Sequence, residues 1–347
     1  MRKRTSSPEP SAGAVDVNGL ARQVRAGDRR ALAKAITLVE SARADRQADA
    51  EALIAALLPD TGQAIRLGLS GAPGVGKSTF IEAFGLSLVA VGKKVAVLAV
   101  DPSSRRSGGS ILGDKTRMER LAREDRAFIR PSPAGETLGG VARRTREAVL
   151  MVEAAGYDVV LVETVGVGQS ETAVADMVDM FALLLAPGGG DELQGIKRGI
   201  MELADLVIIN KADGDLLPAA KRAAADFAAA LHLLQPKYND WTPPVQLVSA
   251  LKNEGMSEIW QQVTQFMDQL TAGGTLKQRR AHQARTWMWA EIREGLMAVL
   301  EADDTLMARA RDLERAVTEG ETSPLSAARQ ILAAFRQDRA GTESDAS

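Results

Sequence analysis

Residues 71–78 read GAPGVGKS and match the pattern G-x-x-x-x-G-K-[ST] at every fixed position. Glycines in such a loop let several backbone N–H groups turn toward phosphate oxygens. The lysine of the pattern can reach the β- and γ-phosphates, and the serine hydroxyl can ligate Mg²⁺. The pattern therefore predicts a phosphate-binding loop whose contacts are Gly71, Gly74, Val75, Gly76, Lys77, Ser78 and Thr79.

Strand and helix patterns surround this loop in the order that it requires. Residues 66–70 predict a short strand, an apolar helix follows Ser78, and residues 94–100 (KVAVLAV) predict a second strand. This βαβ unit belongs to a parallel sheet and points the helix N-terminus at the phosphates. Further strands are predicted at 127–130, 158–163, 180–186, 205–210 and 245–249, with helices at 138–155, 194–203 and 218–234. The predicted fold class is α/β, a P-loop NTPase with a doubly wound, mostly parallel sheet.

The composition excludes several function classes. The 347 residues are 45% hydrophobic, enough for a sizeable core, and the net charge of −2 gives no overall nucleic-acid footprint. Cysteine is absent and the histidines, His232 and His282, are far apart, so disulfides and a metal cluster of Cys or His are not expected. The sequence has no apolar run of about 18 residues and no apolar segment after its basic N-terminus. We therefore expect a cytoplasmic protein that binds neither membranes nor nucleic acid.

Five segments are predicted along the chain. Residues 1–16 have no periodicity and are expected to be disordered, and residues 17–60 form a helical N-terminal extension. Residues 61–253 form the P-loop domain, residues 254–337 are helical, and residues 338–347 form a disordered tail. The C-terminal helical region is long for one small sheet domain to cover. We interpret part of it as a homodimerisation arm, with an intramolecular helical subdomain as the alternative.

Acidic residues follow two of the predicted strands, at the edge where the ligand of such a sheet binds. Asp101 follows the second strand and can hold Mg²⁺ directly or through water; a simple Asp-Pro turn is the alternative. Glu163 ends the fourth strand and can reach the metal or a metal-bound water. Gly166 offers a backbone N–H to the γ-phosphate, and Gln169 either orients the attacking water or belongs to an ordinary surface loop.

A base-recognition motif, N-K-x-D, follows the sixth predicted strand at Asn210, Lys211 and Asp213. Guanine presents N1–H and its 2-amine side by side, and a carboxylate accepts both. Adenine offers neither group, so Asp213 selects guanine. Lys211 can cover the base plane and Asn210 can tie the loop back. After Ser249, at the end of the last strand, the N–H of Ala250 can donate to guanine O6, an assignment that depends on position alone. The predicted ligands are GTP or GDP with Mg²⁺.

These features together resemble the metallochaperone-type branch of the P-loop GTPases. More specifically, the chain resembles the MeaB/ArgK family, the GTPase chaperones of adenosylcobalamin-dependent methylmalonyl-CoA mutase, over about residues 31–289. A glutamate at position 163, where most GTPases carry aspartate, is a feature of this family. The segments that carry the resemblance are GAPGVGKST, VDPSS, GGSILGDKTRM, ETVGVGQSE and NKADGD.

The resemblance implies a Mg²⁺-dependent GTPase that acts as a switch and chaperone for the mutase, and a homodimer formed through C-terminal helices. Switch I would be residues 107–117, with Asp114 near the catalytic metal, and switch II would be residues 163–176. Residues 187–197, with three consecutive glycines, would relay the nucleotide state to the mutase. The implied catalytic residues are Lys77, Asp101, Asp114 and Glu163, and the implied metal ligands are Ser78, Asp101, Asp114 and Glu163.

Other functions stay open at the level of the sequence. A nickel-inserting GTPase would use His- or Cys-rich segments, which this chain lacks. A kinase of a transport system would need a base beside a bound acceptor, and a partitioning-type ATPase conflicts with N-K-A-D. The basic stretch 104–146 holds 11 Arg or Lys against 5 Asp or Glu. It is a solvated face, a docking face for an acidic partner, or a source of arginine fingers at Arg105 and Arg106.

Overall fold

The computed structural model describes residues 15–41, 43–100, 118–131, 138–164, 170–188, 198–235, 237–238 and 240–344. The predicted switch I and residues 189–197 of the predicted relay lie outside these ranges. Asp101, Asp114 and Gly166 lie outside them as well. The chain forms two compact units, Met1–Arg280 and Ala281–Ser347.

The first unit begins with the predicted helical extension. Its helices are α1 (Val17–Arg25), α2 (Arg29–Val39) and α3 (Ala44–Leu57), and a 3₁₀ turn follows at Leu58–Asp60. Aspartates cap the first two helices, because Asp16 accepts a hydrogen bond from the N–H of Gly19 and Asp28 accepts from Arg30 and Ala31. The backbone hydrogen bonds lower the pKa of the Asp28 carboxyl.

The described residues contain one seven-stranded sheet in which every pair of neighbouring strands is parallel. The strands are β1 (Ile65–Ser70), β2 (Val95–Val100), β3 (Ala127–Arg130), β4 (Val159–Thr164), β5 (Met180–Leu185), β6 (Leu206–Ile209) and β7 (Val245–Leu247). The helices between them are α4 (Lys77–Ala90), α5 (Glu119–Ala122), α6 (Leu138–Ala154), α7 (Ser170–Ala175), α8 (Arg198–Leu203) and α9 (Leu217–His232). The predicted fold class is confirmed, and the strand ends differ from the prediction by two residues at most.

The strand order is β3-β2-β4-β1-β5-β6-β7. Strand β1 lies in the centre, and the chain turns from one half of the sheet to the other beside it. Ligands of such sheets bind at this switch point, outside the carboxyl ends of the strands. The predicted phosphate-binding loop directly follows β1 and therefore occupies that position.

Apolar side chains cover both faces of the sheet. On one face, Leu67 and Leu69 of β1 pack with Phe80 and Phe84 of α4 in a fully buried cluster. On the other face, a second cluster contains Val207 and other alternate residues of β5 and β6, which pack against α9. Alternate residues of each strand point to opposite faces, so the apolar strands of a parallel sheet are buried on both sides.

Gly68 in β1 provides the space that α7 occupies. A Cβ at Gly68 would lie 2.9 Å from Val174 Cγ1, 3.0 Å from Val178 Cγ2 and 3.2 Å from Phe181 Cδ2. Real Cβ atoms almost never approach another atom as closely as the first of these distances, so a larger residue would displace the segment that contains α7.

We expect Gly68→Ala to lower the free energy of unfolding by about 1–3 kcal/mol, because it overpacks this contact. Urea denaturation followed by circular dichroism measures the change. The control is Gly199→Ala in α8, where a Cβ would meet nothing within 4 Å. That variant should be as stable as the parent or slightly more stable. Equal stability of Gly68→Ala and the parent would contradict the packing described here.

Helices continue to the end of the described chain, as the sequence predicts. They are α10 (Met256–Ala272), α11 (Thr275–Glu301), α12 (Asp304–Thr318) and α13 (Pro324–Ser344). Helix α13 passes the predicted start of the disordered tail at residue 338. The segment after Gln337 has no proline to end the helix. None of the helices in the described ranges is long and apolar enough to cross a membrane.

Candidate active site

The phosphate-binding loop has the backbone conformation that its glycines permit. Gly76, the residue before α4, has φ of +89°, in the left-handed region. A Cβ at Gly76 would lie 2.7 Å from Asn210 Nδ2, and one at Gly71 would lie 2.3 Å from the carbonyl oxygen of Leu184. These positions therefore need glycine for close approach to neighbouring segments as well as for the turn.

Lys77 is the first residue of α4, and its side chain folds back over the loop. Its Nζ donates to the carbonyl oxygens of Gly71 at 2.6 Å and Ala72 at 3.3 Å. Burial lowers the pKa of the Lys77 ammonium, and the carboxylates of Glu163 and Glu171 oppose that shift. The loop therefore contains a partly desolvated cation, which interacts more strongly with a phosphate than a fully hydrated one.

Glu163 lies beside the loop because its strand neighbours β1. In the parallel register, Glu163 of β4 pairs with Leu69 of β1, and the next residue, Thr164, donates its hydroxyl to Ser70 Oγ at 2.9 Å. Glu163 is 4% exposed, and Ser78 is half-buried at the start of α4. The structure thus brings these predicted metal ligands to the same edge of the sheet. Within the described ranges no group of three or more His, Cys, Asp or Glu could hold a metal ion.

The base-recognition motif is joined directly to the phosphate-binding loop. Asn210, which is 2% exposed, donates Nδ2 to the carbonyl oxygen of Val75 at 2.9 Å. Lys211 has φ of +59° and donates Nζ to the carbonyl oxygen of Gly74 at 2.7 Å. The predicted tie between the loops is present, and Lys211 extends across the space between them.

The segment after β7 contacts Asp213, the carboxylate predicted to select the base. Ser249 Oγ donates to Asp213 Oδ2 and also accepts a hydrogen bond from the N–H of Lys252 at 3.2 Å. The N–H of Ala250, predicted to reach guanine O6, donates to Asn210 Oδ1 at 3.1 Å. The four residues Asn210, Asp213, Ser249 and Ala250 therefore form one connected group, and contact of Ala250 with the base stays a prediction.

Glu171 is a buried carboxylate that the sequence motifs do not single out. It lies in the first turn of α7, is 1% exposed and acts on the charge of Lys77. A buried carboxylate needs a compensating charge or hydrogen bonds. The sequence does contain a pattern that could have predicted its burial. Glu171 is the last residue of ETVGVGQSE, and Val174 follows three residues later, on the same face of a helix.

The family model described as "Methylmalonyl Co-A mutase-associated GTPase MeaB" matches residues 32–305 of the chain. The chain belongs to the MeaB family. A Caulobacter vibrioides protein named as a GTPase is 58% identical over 93% of this chain and 98% of its own. A Mus musculus relative, "Methylmalonic aciduria type A homolog, mitochondrial", is 49% identical over 89% of this chain and 77% of its own.

A solved structure has the same fold over nearly the whole chain. It is titled "LAO/AO transport system kinase", has a TM-score of 0.74 and 42% identity, and the match covers 95% of this chain and all of that one. Membership of the MeaB family and the site geometry agree on the chemistry. The chain is a GTPase that binds guanine nucleotides, and the predicted resemblance is confirmed.

Proposed function

We propose that this MeaB-family GTPase is Mg²⁺-dependent, hydrolyses GTP to GDP and phosphate, and acts as a switch and chaperone for adenosylcobalamin-dependent methylmalonyl-CoA mutase. The observation that carries the nucleotide part is the bond from Asn210 Nδ2 to the carbonyl oxygen of Val75, 2.9 Å long. It joins the loop proposed to bind the base directly to the loop that binds the phosphates. The description of the matching family supports the mutase as partner.

Hydrolysis proceeds by in-line attack of water on the γ-phosphate. Backbone N–H groups of residues 71–78 and the Lys77 ammonium stabilise the charge that develops on the phosphate oxygens. Asp213 holds guanine, so that the triphosphate lies along the loop in one register. Asp101, Asp114, Gly166 and Gln169 keep their proposed roles and lie outside the described residues.

Magnesium fits the donor chemistry at this edge of the sheet. Mg²⁺ prefers oxygen ligands and is usually bound by one or two protein groups together with substrate phosphates. The Ser78 hydroxyl and the buried Glu163 carboxylate supply such oxygens. With Asp101 and Asp114 they would hold the ion, which neutralises phosphate charge when bound.

The switching role follows from how γ-phosphate contacts order loops. GTP binding would order the segments after β2 and β4, and hydrolysis would release them. In this proposal the protein is a cytoplasmic homodimer whose C-terminal helices form the dimerisation arm. The mutase reads the nucleotide state and receives or keeps its cofactor accordingly.

The partner assignment is tested with the purified full-length chain and recombinant methylmalonyl-CoA mutase. We expect a complex on size-exclusion chromatography with light scattering, and we expect its affinity to differ about tenfold or more between GDP and a non-hydrolysable GTP analogue, both with Mg²⁺. One arm omits Mg²⁺ and should give the same affinity with either nucleotide. Absence of a complex in every nucleotide state would sink the chaperone assignment and leave the GTPase intact.

A further inference from the structure

Helix α7 packs against β1, the strand that leads into the phosphate-binding loop, and carries a buried carboxylate in its first turn. Glu171 is 1% exposed, and its carboxylate is one of the charges that act on Lys77. Val174, one turn later on the same face, lies 2.9 Å from the position of a Cβ on Gly68 of β1. How closely α7 lies against β1 therefore sets the separation between Glu171 and the phosphate-binding loop.

The other end of α7 is held by an arginine of α11. Arg279 donates Nη2 to the carbonyl oxygen of Ala175, the last residue of α7, at 3.2 Å, and Nε to that of Val178 at 3.2 Å. Its Nη1 donates to the hydroxyl of Tyr238. The last carbonyls of a helix have no partner within the helix, and a planar guanidinium can bind several of them at once.

The next residue, Arg280, binds the segments that lead directly into β1 and β5. Its Nε and Nη2 donate to the two carboxylate oxygens of Asp179 at 2.8 and 2.6 Å, and Nη2 also donates to the carbonyl oxygen of Ala64 at 2.7 Å. Asp179 is fully buried and accepts a further hydrogen bond from the N–H of Arg66 at 2.9 Å. Arg280 thus binds residues that directly precede β1 and β5, whereas Arg279 binds the last carbonyl of α7 and the carbonyl of Val178.

We propose that Arg279 is a positioning residue for GTP hydrolysis, which holds α7 against β1 and transmits displacement of α7 to the first turn of α11. It touches neither the nucleotide nor the reacting atoms and acts through α7. The transmission rests on the proposed GTP-dependent switch, since it requires α7 to move when the nucleotide changes. Arg280 keeps α11 fixed to the sheet one residue further, so the displacement is local.

Arg279→Met removes the guanidinium and keeps an unbranched apolar stem. We expect kcat for GTP to fall about tenfold with KM within about twofold, because a misplaced helix costs transition-state stabilisation and leaves nucleotide contacts unchanged. Hydrogen exchange, read by mass spectrometry with GDP and with a non-hydrolysable GTP analogue, gives the second readout. In the parent, exchange of both α7 and residues 275–280 should depend on the nucleotide. In the variant, only α7 should retain that dependence.

Lys277→Met is the matched control. Lys277 is exposed on the same turn of α11, and its replacement by methionine also removes one positive charge. It should match the parent in both readouts. If Arg279→Met unfolds more than about 10 °C below the parent, which is a large loss of stability for a unit of this size, Arg279→Lys takes its place. Lysine keeps the positive charge but cannot bind both carbonyl oxygens at once as the planar guanidinium does. The same changes in kcat, KM and hydrogen exchange are then expected of this variant.

The outcomes separate this inference from the proposed switch. Unchanged kcat together with nucleotide-dependent exchange in α11 of the variant would overturn the role of Arg279. Nucleotide-dependent exchange in α7 of the parent but not in its α11 would also overturn it and leave the switch standing. Exchange in α7 that ignores the nucleotide would refute the switch itself.

Discussion

Lys77→Ala should lower kcat for GTP hydrolysis by a factor of about 100–1,000, the cost of removing one preorganised donor to the developing phosphate charge. The ammonium at the start of α4 is partly desolvated, so its attraction to the γ-phosphate is strong. Free phosphate released in single-turnover and steady-state assays measures the effect. We expect the variant to remain folded, since Nζ donates to carbonyl oxygens of its own loop.

The matched control is Lys221→Ala in α9, which removes an exposed lysine from the same unit. Its kcat should equal that of the parent. Far-UV circular dichroism and thermal unfolding of both variants establish that they are folded. A Lys77→Ala protein with parental turnover would mean that the phosphates bind elsewhere.

Asp213→Asn should reverse the base preference. In the proposed site the Asp213 carboxylate accepts hydrogen bonds from guanine N1–H and the 2-amine, and each charge-assisted bond would contribute about 1.5–3 kcal/mol. The amide replaces one acceptor by a donor, so GTP affinity should fall about 100-fold. Xanthosine triphosphate, which carries an oxygen in place of the 2-amine, should gain affinity for the same reason. Titration calorimetry with both nucleotides measures the two changes.

Asp215→Asn is the control for this prediction. Asp215 is exposed in the 3₁₀ turn that follows the N-K-x-D motif, and its replacement by asparagine removes the same negative charge. Its GTP affinity should stay within about twofold of the parent, since surface charges have small effects. Parental GTP affinity in Asp213→Asn would disprove the assignment of the base-binding carboxylate.

The parts of the site that sequence predicts are those whose signals are local. The phosphate-binding loop is defined by the glycines and Lys77 within eight consecutive positions, 71–78. The base motif needs only the tip of one strand. Each of the seven predicted strands is present in the sheet, because short apolar runs between turn residues are typical of buried parallel strands.

The parts that sequence does not predict depend on partners far along the chain. Arg66 is a charged residue inside β1, and its guanidinium binds both carboxylate oxygens of Glu153 at 2.8 Å. No local pattern connects residues separated by 87 positions. The contacts of Arg279 with α7 span more than 100 positions and are invisible for the same reason. Helical periodicity predicts α11, but it does not predict with which segment each arginine of this helix forms hydrogen bonds.

The amide of Asn210 has a consequence for how nucleotide fragments bind. Its Nδ2 reaches the carbonyl of Val75 and its Oδ1 receives the N–H of Ala250, so one side chain fastens both halves of the cleft. Free guanosine and free pyrophosphate would each bind to a preformed part of the cleft. Neither fragment would first have to bring the two loops together. Intact GTP consequently loses its overall translational and rotational freedom only once for both contacts, and should bind far more tightly than either fragment alone.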